Sequence, residues 1–161
     1  MKTRMPHVLG FVFVAVAMFA AVVSAQAPKG LAGTWKLDVT KSKFSPGPAP
    51  KSMTITYTPG PGDTMKIVVD TTPGDGTAAQ HWEMSGGYDG KDTPVTGNPN
   101  ADTISMKRVD DMHGESTFKK AGKVSATNMR TLSADGKTLT IVSKGTTADG
   151  KPRTDTQVFT R

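Results

Sequence analysis

The sequence contains no cysteine and has few large apolar side chains. The first absence excludes a disulfide scaffold and the lipid-modified cysteine of a bacterial lipoprotein, so packing alone must stabilise the fold. Leu, Ile, Val and Phe make up only 19 of residues 26–161. Such a low content would indicate disorder if the net charge were high, but the charge is small, and 22 threonines in the same range favour β-strands. Disorder is therefore the weaker alternative to a thin core on one face of a curved sheet.

Long runs of like charge are also absent. Residues 26–161 carry 18 basic and 14 acidic side chains, which gives a net charge near +4. The basic residues are interspersed, and Lys107-Arg108 and Lys119-Lys120 are only pairs. A nucleic-acid-binding arm places about five or six like charges together. The sequence therefore predicts a mixed, solvated surface and no nucleic-acid partner.

Residues 1–25 have the three parts of a secretory signal peptide. Lys2 and Arg4 give a basic start, residues 8–23 are almost entirely apolar, and Val23-Ser24-Ala25 ends in small side chains. An uncleaved membrane anchor is the alternative, but the apolar run of ~16 residues is shorter than the ~20 that span a bilayer. We therefore expect cleavage after Ala25. The product would be a secreted or periplasmic, monomeric domain of residues 26–161 without a membrane span.

Three Asp-Gly-Lys segments punctuate the chain, at Asp89-Gly90-Lys91, Asp135-Gly136-Lys137 and Asp149-Gly150-Lys151. Asp-Gly between alternating segments is typical of tight β-hairpin turns, because both turn positions must tolerate a positive φ. Three such turns predict an antiparallel meander in which each strand returns beside the previous one.

Between the turns, apolar side chains alternate with polar ones, which is the period of a half-buried strand. Residues 44–50 hold three prolines and residues 93–102 show no alternation, so both are predicted loops. No segment beyond residue 25 has helical periodicity. The side chains predicted to share one interior are Trp35, Met53, Ile55, Tyr57, Ile67, Trp82, Ile104, Phe118, Leu139 and Ile141. Closing the sheet removes its edges, so an all-β, antiparallel up-and-down β-barrel of nine or ten strands is favoured over a two-sheet sandwich.

Gly33-Thr34-Trp35, at the start of the first predicted strand, resembles the Gly-x-Trp signature of lipocalins and related calycins. In that family the tryptophan closes one end of the barrel, and a basic side chain from the end of the last strand lies over it. The resemblance implies that Arg161, or alternatively Arg153, covers Trp35. The Thr-Asp-Tyr motif of lipocalins is missing from the sequence. What the resemblance implies is therefore a calycin-like barrel.

Residues 89–102 and 133–145 resemble segments of a group of small secreted bacterial proteins that are described as lipocalin-like. This second resemblance extends over nearly all of residues 26–161. It implies bacterial export and a barrel, and it brings no established activity with it.

Few side chains have the spacing of a catalytic or metal site. His81 and Glu83 share one face of a predicted strand, where a solvated surface pair is favoured over a metal or acid–base pair. His113 lies in a turn after Asp110 and Asp111, but no second cluster completes a metal site. The sequence has no Gly-x-Ser-x-Gly to mark a nucleophile. We therefore expect no metal and no cofactor, and an enzyme of unknown type is the least favoured function.

Polar side chains on predicted apolar faces are the strongest indication of function. Arg108 falls on the apolar face of its strand, and Asn128 and Arg130 fall on the apolar face of theirs. A guanidinium inside a barrel is costly unless it is paired, and an anionic ligand is one possible partner. The alternatives are that Arg108 reaches solvent at its strand end, and that Arg130 pairs with an acidic side chain or is turned outward by a bulge.

The face assigned to Asn128 and Arg130 also holds Val124, Ala126 and Leu132. Five methionines on predicted strands would contribute an adaptable lining, namely Met53, Met65, Met84, Met106 and Met129. The same methionines would equally suit a filled core.

The sequence predicts a β-barrel that binds a small apolar or amphipathic ligand, which can include an anionic group. The residues predicted to bind it are Tyr57, Trp82, Arg108, Asn128 and Arg130. The alternative is a solid-core structural or interaction module of the cell envelope with no small-molecule ligand.

Overall fold

The computed structural model describes residues 27–28, 30–147 and 150–161. Within these ranges the chain forms ten strands and one short 3-10 helix, Val39–Lys41. The strands are β1 (Gly33–Leu37), β2 (Ser52–Pro59), β3 (Thr64–Thr72), β4 (Gln80–Gly87), β5 (Asp89–Thr96), β6 (Thr103–Arg108), β7 (His113–Lys120), β8 (Lys123–Leu132), β9 (Thr138–Thr146) and β10 (Pro152–Thr160). The predicted signal peptide, residues 1–25, lies outside the described residues. Among the described residues, no helix is long and apolar enough to cross a membrane.

The strands form one closed antiparallel barrel in which each strand pairs with its neighbours in sequence. The wall closes where β1 pairs with β10, through Lys36 with Thr160 and Leu37 with Phe159. Closure pairs the backbone groups that an open sheet would leave at its two edges. The predicted all-β up-and-down barrel is confirmed, with ten strands.

The predicted interior is also confirmed. Seven of the ten side chains expected inside are buried, namely Trp35, Ile55, Tyr57, Ile67, Ile104, Leu139 and Ile141. The other three, Met53, Trp82 and Phe118, are partly buried and pack against this core. The alternation of polar and apolar residues therefore identifies the buried face, because successive side chains of a strand point to opposite sides of the sheet.

Trp35 and Arg161 close one end of the barrel. The Trp35 side chain is fully buried, and its Nε1 donates a hydrogen bond to the Leu31 carbonyl oxygen at 2.8 Å. The guanidinium carbon of Arg161 lies 4.6 Å from the centroid of the Trp35 ring, and its Nη1 donates to the Ala32 carbonyl oxygen at 3.0 Å. A guanidinium over an indole face is a favourable cation–π contact. Arg161, and not Arg153, is the basic side chain that covers Trp35.

The prediction of a loop over residues 93–102 is wrong at its start, because β5 continues to Thr96. Most side chains of this strand are exposed, so its sequence shows no regular alternation. It also contains Pro94 and an Asp-Gly pair, residues that are typical of turns. Because its composition resembles that of a turn, β5 is not recognisable as a strand from the sequence.

The three Asp-Gly-Lys segments have different roles. Asp135-Gly136-Lys137 lies in the turn between β8 and β9, as predicted, and Gly136 has a φ of 66°. Asp89-Gly90-Lys91 instead begins β5, where the register with β6 shifts between Asp89 and Asp92. Asp149 lies outside the described residues, while Gly150 has a φ of 82° between β9 and β10.

β8 contains an irregularity that changes which side chains face inward. Phe118 pairs with Ala126 and Lys119 pairs with Val124, so Ser125 is an extra residue on the β8 side of the ladder. Such a bulge reverses the alternation beyond it. The prediction that Val124 faces the interior is therefore wrong, since its side chain is 60 % exposed.

Met129 also lies on the outer face of the barrel, where its side chain is 53 % exposed. It stands between Asn128 and Arg130, which point the other way. The predicted methionine lining therefore loses this member, while Met53, Met65, Met84 and Met106 remain in or against the core.

Candidate ligand-binding site

A cavity of about 750 Å³ occupies the barrel interior. Its mouth is lined by residues of the segments 44–50, 73–77 and 98–101, which join the strands at one end of the barrel. The turn between β8 and β9 lies at the other end, where Gly136 approaches Arg161. The cavity therefore opens away from the end that Trp35 closes. Its volume is in the range of small-molecule sites, roughly 300–1,000 Å³.

One wall of the cavity, made by β2, β3 and β4, is apolar. Ile55 pairs with Val69, and Val69 pairs with Trp82, so these three residues form a row across the wall. Trp82 makes an edge-to-face contact with Phe118 of β7, and the ring centroids are 6.0 Å apart. Branched and aromatic side chains of this kind suit the apolar part of a ligand.

The facing wall, made by β7, β8, β9 and β10, is polar. The polar residues of these strands that line the cavity are Ser116, Lys120, Ser125, Asn128, Arg130, Ser143, Thr146, Arg153, Asp155 and Gln157. The cavity therefore has two chemically different sides, and an amphipathic molecule would match both of them.

Arg130 carries a buried charge whose Nη1 and Nη2 have no hydrogen-bonding partner among the described residues. Its side chain is only 7 % exposed, and no described residue accepts a hydrogen bond from its buried Nη1 or Nη2. The guanidinium carbon lies 5.9 Å from the centroid of the Tyr88 ring. A ring face attracts the cation but leaves the in-plane N–H groups without acceptors. Two residues further along β8, Leu132 belongs to the core, so Arg130 lies at the deep end of the cavity.

Gly114 provides the space for the Arg130 side chain. The two residues pair directly in the β7–β8 register. A Cβ atom at position 114 would lie 3.1 Å from Cζ of Arg130 and 3.2 Å from its Nε, and it would overlap Nη2. The guanidinium therefore lies against bare backbone, in a place that any other residue would fill.

Two buried tyrosines are close enough to Arg130 for its charge to act on them. Burial raises the pKa of Tyr57 well above its ordinary value, and Tyr88 raises it further, while the positive charge of Arg130 acts in the opposite direction. Burial also raises the pKa of Tyr88, again against the influence of Arg130. Both phenols therefore keep their protons at neutral pH, and each can donate a hydrogen bond to an anion.

Four of the five predicted site residues line the cavity, namely Tyr57, Trp82, Asn128 and Arg130. Arg108 does not. At the end of β6 its Nη2 pairs with the Asp111 carboxylate, and its Nε donates to the Asp110 carbonyl oxygen at 3.3 Å. The two arginines thus differ: Arg108 has acidic and carbonyl partners within three residues, whereas Nη1 and Nη2 of Arg130 have none in the part of the chain that the structure describes.

Sequence reasoning missed Tyr88 and Gly114. Tyr88 lies in the bend between β4 and β5, a region that the sequence marks as a turn, yet its side chain is buried. Gly114 belongs to a segment that resembles an ordinary turn. A cross-strand alignment of β7 with β8 would have found it, because Gly114 is the residue opposite Arg130.

His81 and His113 lie outside the cavity. Nδ1 of His81 is 2.7 Å from Asp70, and Nδ1 of His113 is 2.8 Å from Asp110, with all four side chains substantially exposed. Glu83, which shares a strand face with His81, pairs with Lys66 at 2.7 Å. Among the described residues, no group of three or more His, Cys, Asp or Glu side chains could hold a metal ion.

No protein-family model matches the chain, and no curated protein matches it. Among solved structures, the crystal structure of the wild-type fluorescent protein UnaG is similar, with a TM-score of 0.52. The match covers 81 % of this chain and 96 % of UnaG, at 14 % sequence identity. The similarity shows that this chain shares its fold with UnaG. At this level of identity the similarity concerns the fold and not the ligand.

Proposed function

We propose that the protein binds a small amphipathic acid inside its barrel, with the acid group at Arg130. The single observation that carries this proposal is the buried guanidinium of Arg130, whose Nη1 and Nη2 have no partner among the described residues. A buried charge without partners is strongly unfavourable. A carboxylate or phosphate on the ligand would accept both N–H groups in a bidentate arrangement and would remove this cost.

The surroundings of Arg130 support an anion in this position. Tyr57 and Tyr88 keep their phenolic protons, so their hydroxyl groups can donate further hydrogen bonds to the same acid group. No acidic side chain pairs with Arg130, so a negatively charged ligand would meet no competitor within the described residues.

The apolar part of the ligand would lie toward the mouth of the cavity. The row of Ile55, Val69 and Trp82 provides an apolar surface there, and Phe118 extends it from β7. Burying hydrocarbon against such a surface contributes roughly 25 cal/mol per Å² of apolar area. The ligand would therefore bind with its acid group deep in the barrel and its apolar end outward.

Titration with dodecanoate tests the proposal. The chain has two tryptophans, and Trp82 lines the cavity, so its fluorescence should change on binding. Arg130→Met should weaken binding by about 1.5–3 kcal/mol, the loss of a hydrogen bond to a charged group. Dodecanol, which has the same chain but no acid group, should bind wild-type protein and Arg130→Met with similar affinity.

Arg108→Met is the matched control, because it removes an arginine that pairs with Asp111 outside the cavity lining. It should leave dodecanoate affinity unchanged. If neither dodecanoate nor dodecanol binds, the proposal fails, and the structural or interaction module becomes the better hypothesis. Native mass spectrometry of protein isolated from its own source would detect a retained ligand by its mass.

We further propose that this binding domain is exported and acts as a secreted or periplasmic monomer. The signal-like pattern of residues 1–25 supports export. N-terminal sequencing of the exported protein should find a start near Gln26, and size-exclusion chromatography should give the mass of one chain. A membrane-retained product that still carries residues 8–23 would contradict export.

A further inference from the structure

A continuous row of polar residues crosses the cavity wall, nearer the mouth than Arg130. Ser116 of β7 pairs with Asn128 of β8, Asn128 pairs with Ser143 of β9, and Ser143 pairs with Asp155 of β10. All four line the cavity. We call Ser116, Asn128, Ser143 and Asp155 the polar row. It lies two residues from Arg130 along β8, which corresponds to about 6–7 Å in an extended strand.

The polar row contains an acceptor that no described residue satisfies. Oδ1 of Asn128 is buried and receives no hydrogen bond from the described part of the chain. Oγ of Ser125, nearer the mouth on the same strand, is buried and lacks a partner in the same way. Buried polar atoms are almost always hydrogen-bonded in folded proteins, so these atoms are expected to have a partner from outside the chain.

Asp155, at the other end of the polar row, is already paired. Its Oδ2 accepts from Nε of Arg153 at 2.7 Å, and its Oδ1 accepts from the backbone N–H of Ser45 at 3.2 Å. The contact with Ser45 attaches the loop after β1 to β10, while the contact with Arg153 lies within β10. Within the polar row, the atom that lacks a hydrogen bond from the described residues therefore belongs to Asn128. The negative charge of Asp155 is already paired with Arg153.

The wall opposite the polar row is mainly apolar at its centre, where Ile55, Val69 and Trp82 form the middle row and the Trp82 indole N–H is the one hydrogen-bonding group. A ligand at this level would thus meet acceptors on one side and a mainly apolar surface on the other. A plain hydrocarbon chain would leave Oδ1 of Asn128 without a partner, and an unsatisfied buried acceptor is costly.

We infer that the preferred ligand is an acid that carries a hydroxyl or another hydrogen-bond donor on one side, about 6–7 Å from its acid group. The acid group binds Arg130, the donor binds Oδ1 of Asn128, and the opposite side of the ligand packs on Ile55, Val69 and Trp82. This inference rests on the proposed function and narrows its ligand class from amphipathic acids in general to acids with a polar group part-way along one side.

The test compares two probes that differ by one oxygen atom, dodecanoate and dodecanoate with a hydroxyl on its sixth carbon. Wild-type protein should bind the hydroxylated acid about tenfold more tightly, which corresponds to one hydrogen bond formed with a buried acceptor. A third probe, with the hydroxyl on the terminal carbon, should show no such preference, because its donor would lie near the mouth.

Asn128→Leu tests the acceptor itself with a side chain of similar size. This variant should lose the tenfold preference, and it should bind plain dodecanoate more tightly than wild-type protein does, because no buried acceptor is then left without a partner. Equal affinity of wild-type protein for the hydroxylated and plain acids would overturn the inference, and so would an Asn128→Leu variant that retains the preference.

Failure of this inference can be distinguished from failure of the proposed function. If both acids bind equally and both are weakened by Arg130→Met, the acid site stands and the donor site does not. If neither acid binds wild-type protein, the proposed function itself fails. Circular dichroism of Asn128→Leu confirms that the barrel has folded before its affinities are compared.

Discussion

Gly114 and Arg130 face each other across the β7–β8 ladder, and the guanidinium of one occupies the space that a side chain on the other would need. The two residues are 16 positions apart in the sequence but directly opposite each other in the ladder. Its effect is that a long cationic side chain lies inside a barrel with its N–H groups free to meet a ligand. The position of the Arg130 charge therefore depends on Gly114, which has no side chain to bind a ligand.

Gly114→Ala should displace the Arg130 guanidinium and reduce affinity for dodecanoate by about tenfold or more, because a misplaced donor loses its hydrogen bond to a charged group. Crowding of the site should also lower the free energy of unfolding by about 1–3 kcal/mol. Isothermal titration and urea denaturation measure the two effects. Gly87→Ala is the matched control, since a Cβ there would have no neighbour closer than 3.8 Å. Unchanged affinity in Gly114→Ala would show that the guanidinium does not need this space.

Arg130→Met should stabilise the ligand-free protein while it weakens acid binding. The substitution replaces a buried, unpartnered charge with an apolar side chain that fills much of the same volume, and relief of this kind is worth about 1–3 kcal/mol. Urea denaturation of ligand-free protein provides the measurement. Arg108→Met, which removes a side chain that pairs with Asp111, should change the free energy of unfolding by less than about 1 kcal/mol. A destabilised Arg130→Met variant would mean that the charge already has a stabilising partner.

Alkaline titration should find both tyrosines protonated well above the pH at which free tyrosine ionises. The chain has only Tyr57 and Tyr88, and burial raises the pKa of each above its ordinary value near 10. The unfolded state therefore loses its phenolic protons first, so stability is complete below about pH 10 and decreases as the pH rises beyond it. Tyrosinate absorbance should appear together with unfolding, and in denaturant it should appear near pH 10. A folded protein with fully ionised tyrosines at that pH would contradict the burial of these rings.

Arg161→Met should destabilise the closed end of the barrel by about 1–2 kcal/mol, because it removes the cation–π contact with Trp35 and the hydrogen bond to Ala32. The measurement is urea denaturation followed by the fluorescence of Trp35 in a Trp82→Phe background. Arg161→Lys should recover part of the loss, since lysine keeps the charge but cannot stack as a plane on the indole. An Arg161→Met variant as stable as wild type would show that burial and the hydrogen bond to Leu31 are enough to hold Trp35.

The barrel was predictable because the same alternation of polar and apolar residues repeats along the chain. Each strand carries the same alternation, so single errors do not change the fold. The closed end was predictable for a different reason: the contact between Trp35 and Arg161 is implied by the resemblance to calycins, and it joins two elements that barrel closure brings together.

Most failures lie where the regular pattern is interrupted; Met129 is the exception, because its outward direction follows from the opposite parity of Asn128 and Arg130. The bulge at Ser125 turns Val124 outward, and its position depends on the pairing between strands, which the sequence of one strand does not contain. The position of Arg130 was predictable from parity, since it precedes Leu132 by two residues. That its Nη1 and Nη2 lack partners within residues 27–28, 30–147 and 150–161 was not predictable, because Arg108 has the same parity and pairs with Asp111 at its strand end.

The pairing of β1 with β10 also determines when folding can finish. Hairpins between consecutive strands involve short loops and can form early, but this last seam joins residues from nearly opposite ends of the domain. Long-range contacts of this kind slow folding, and barrels of high contact order typically need milliseconds to seconds. Until β10 is in place, β1 and β9 both remain open edges that another chain can extend. The step that encloses the cavity is therefore also the step that ends the period of greatest aggregation risk.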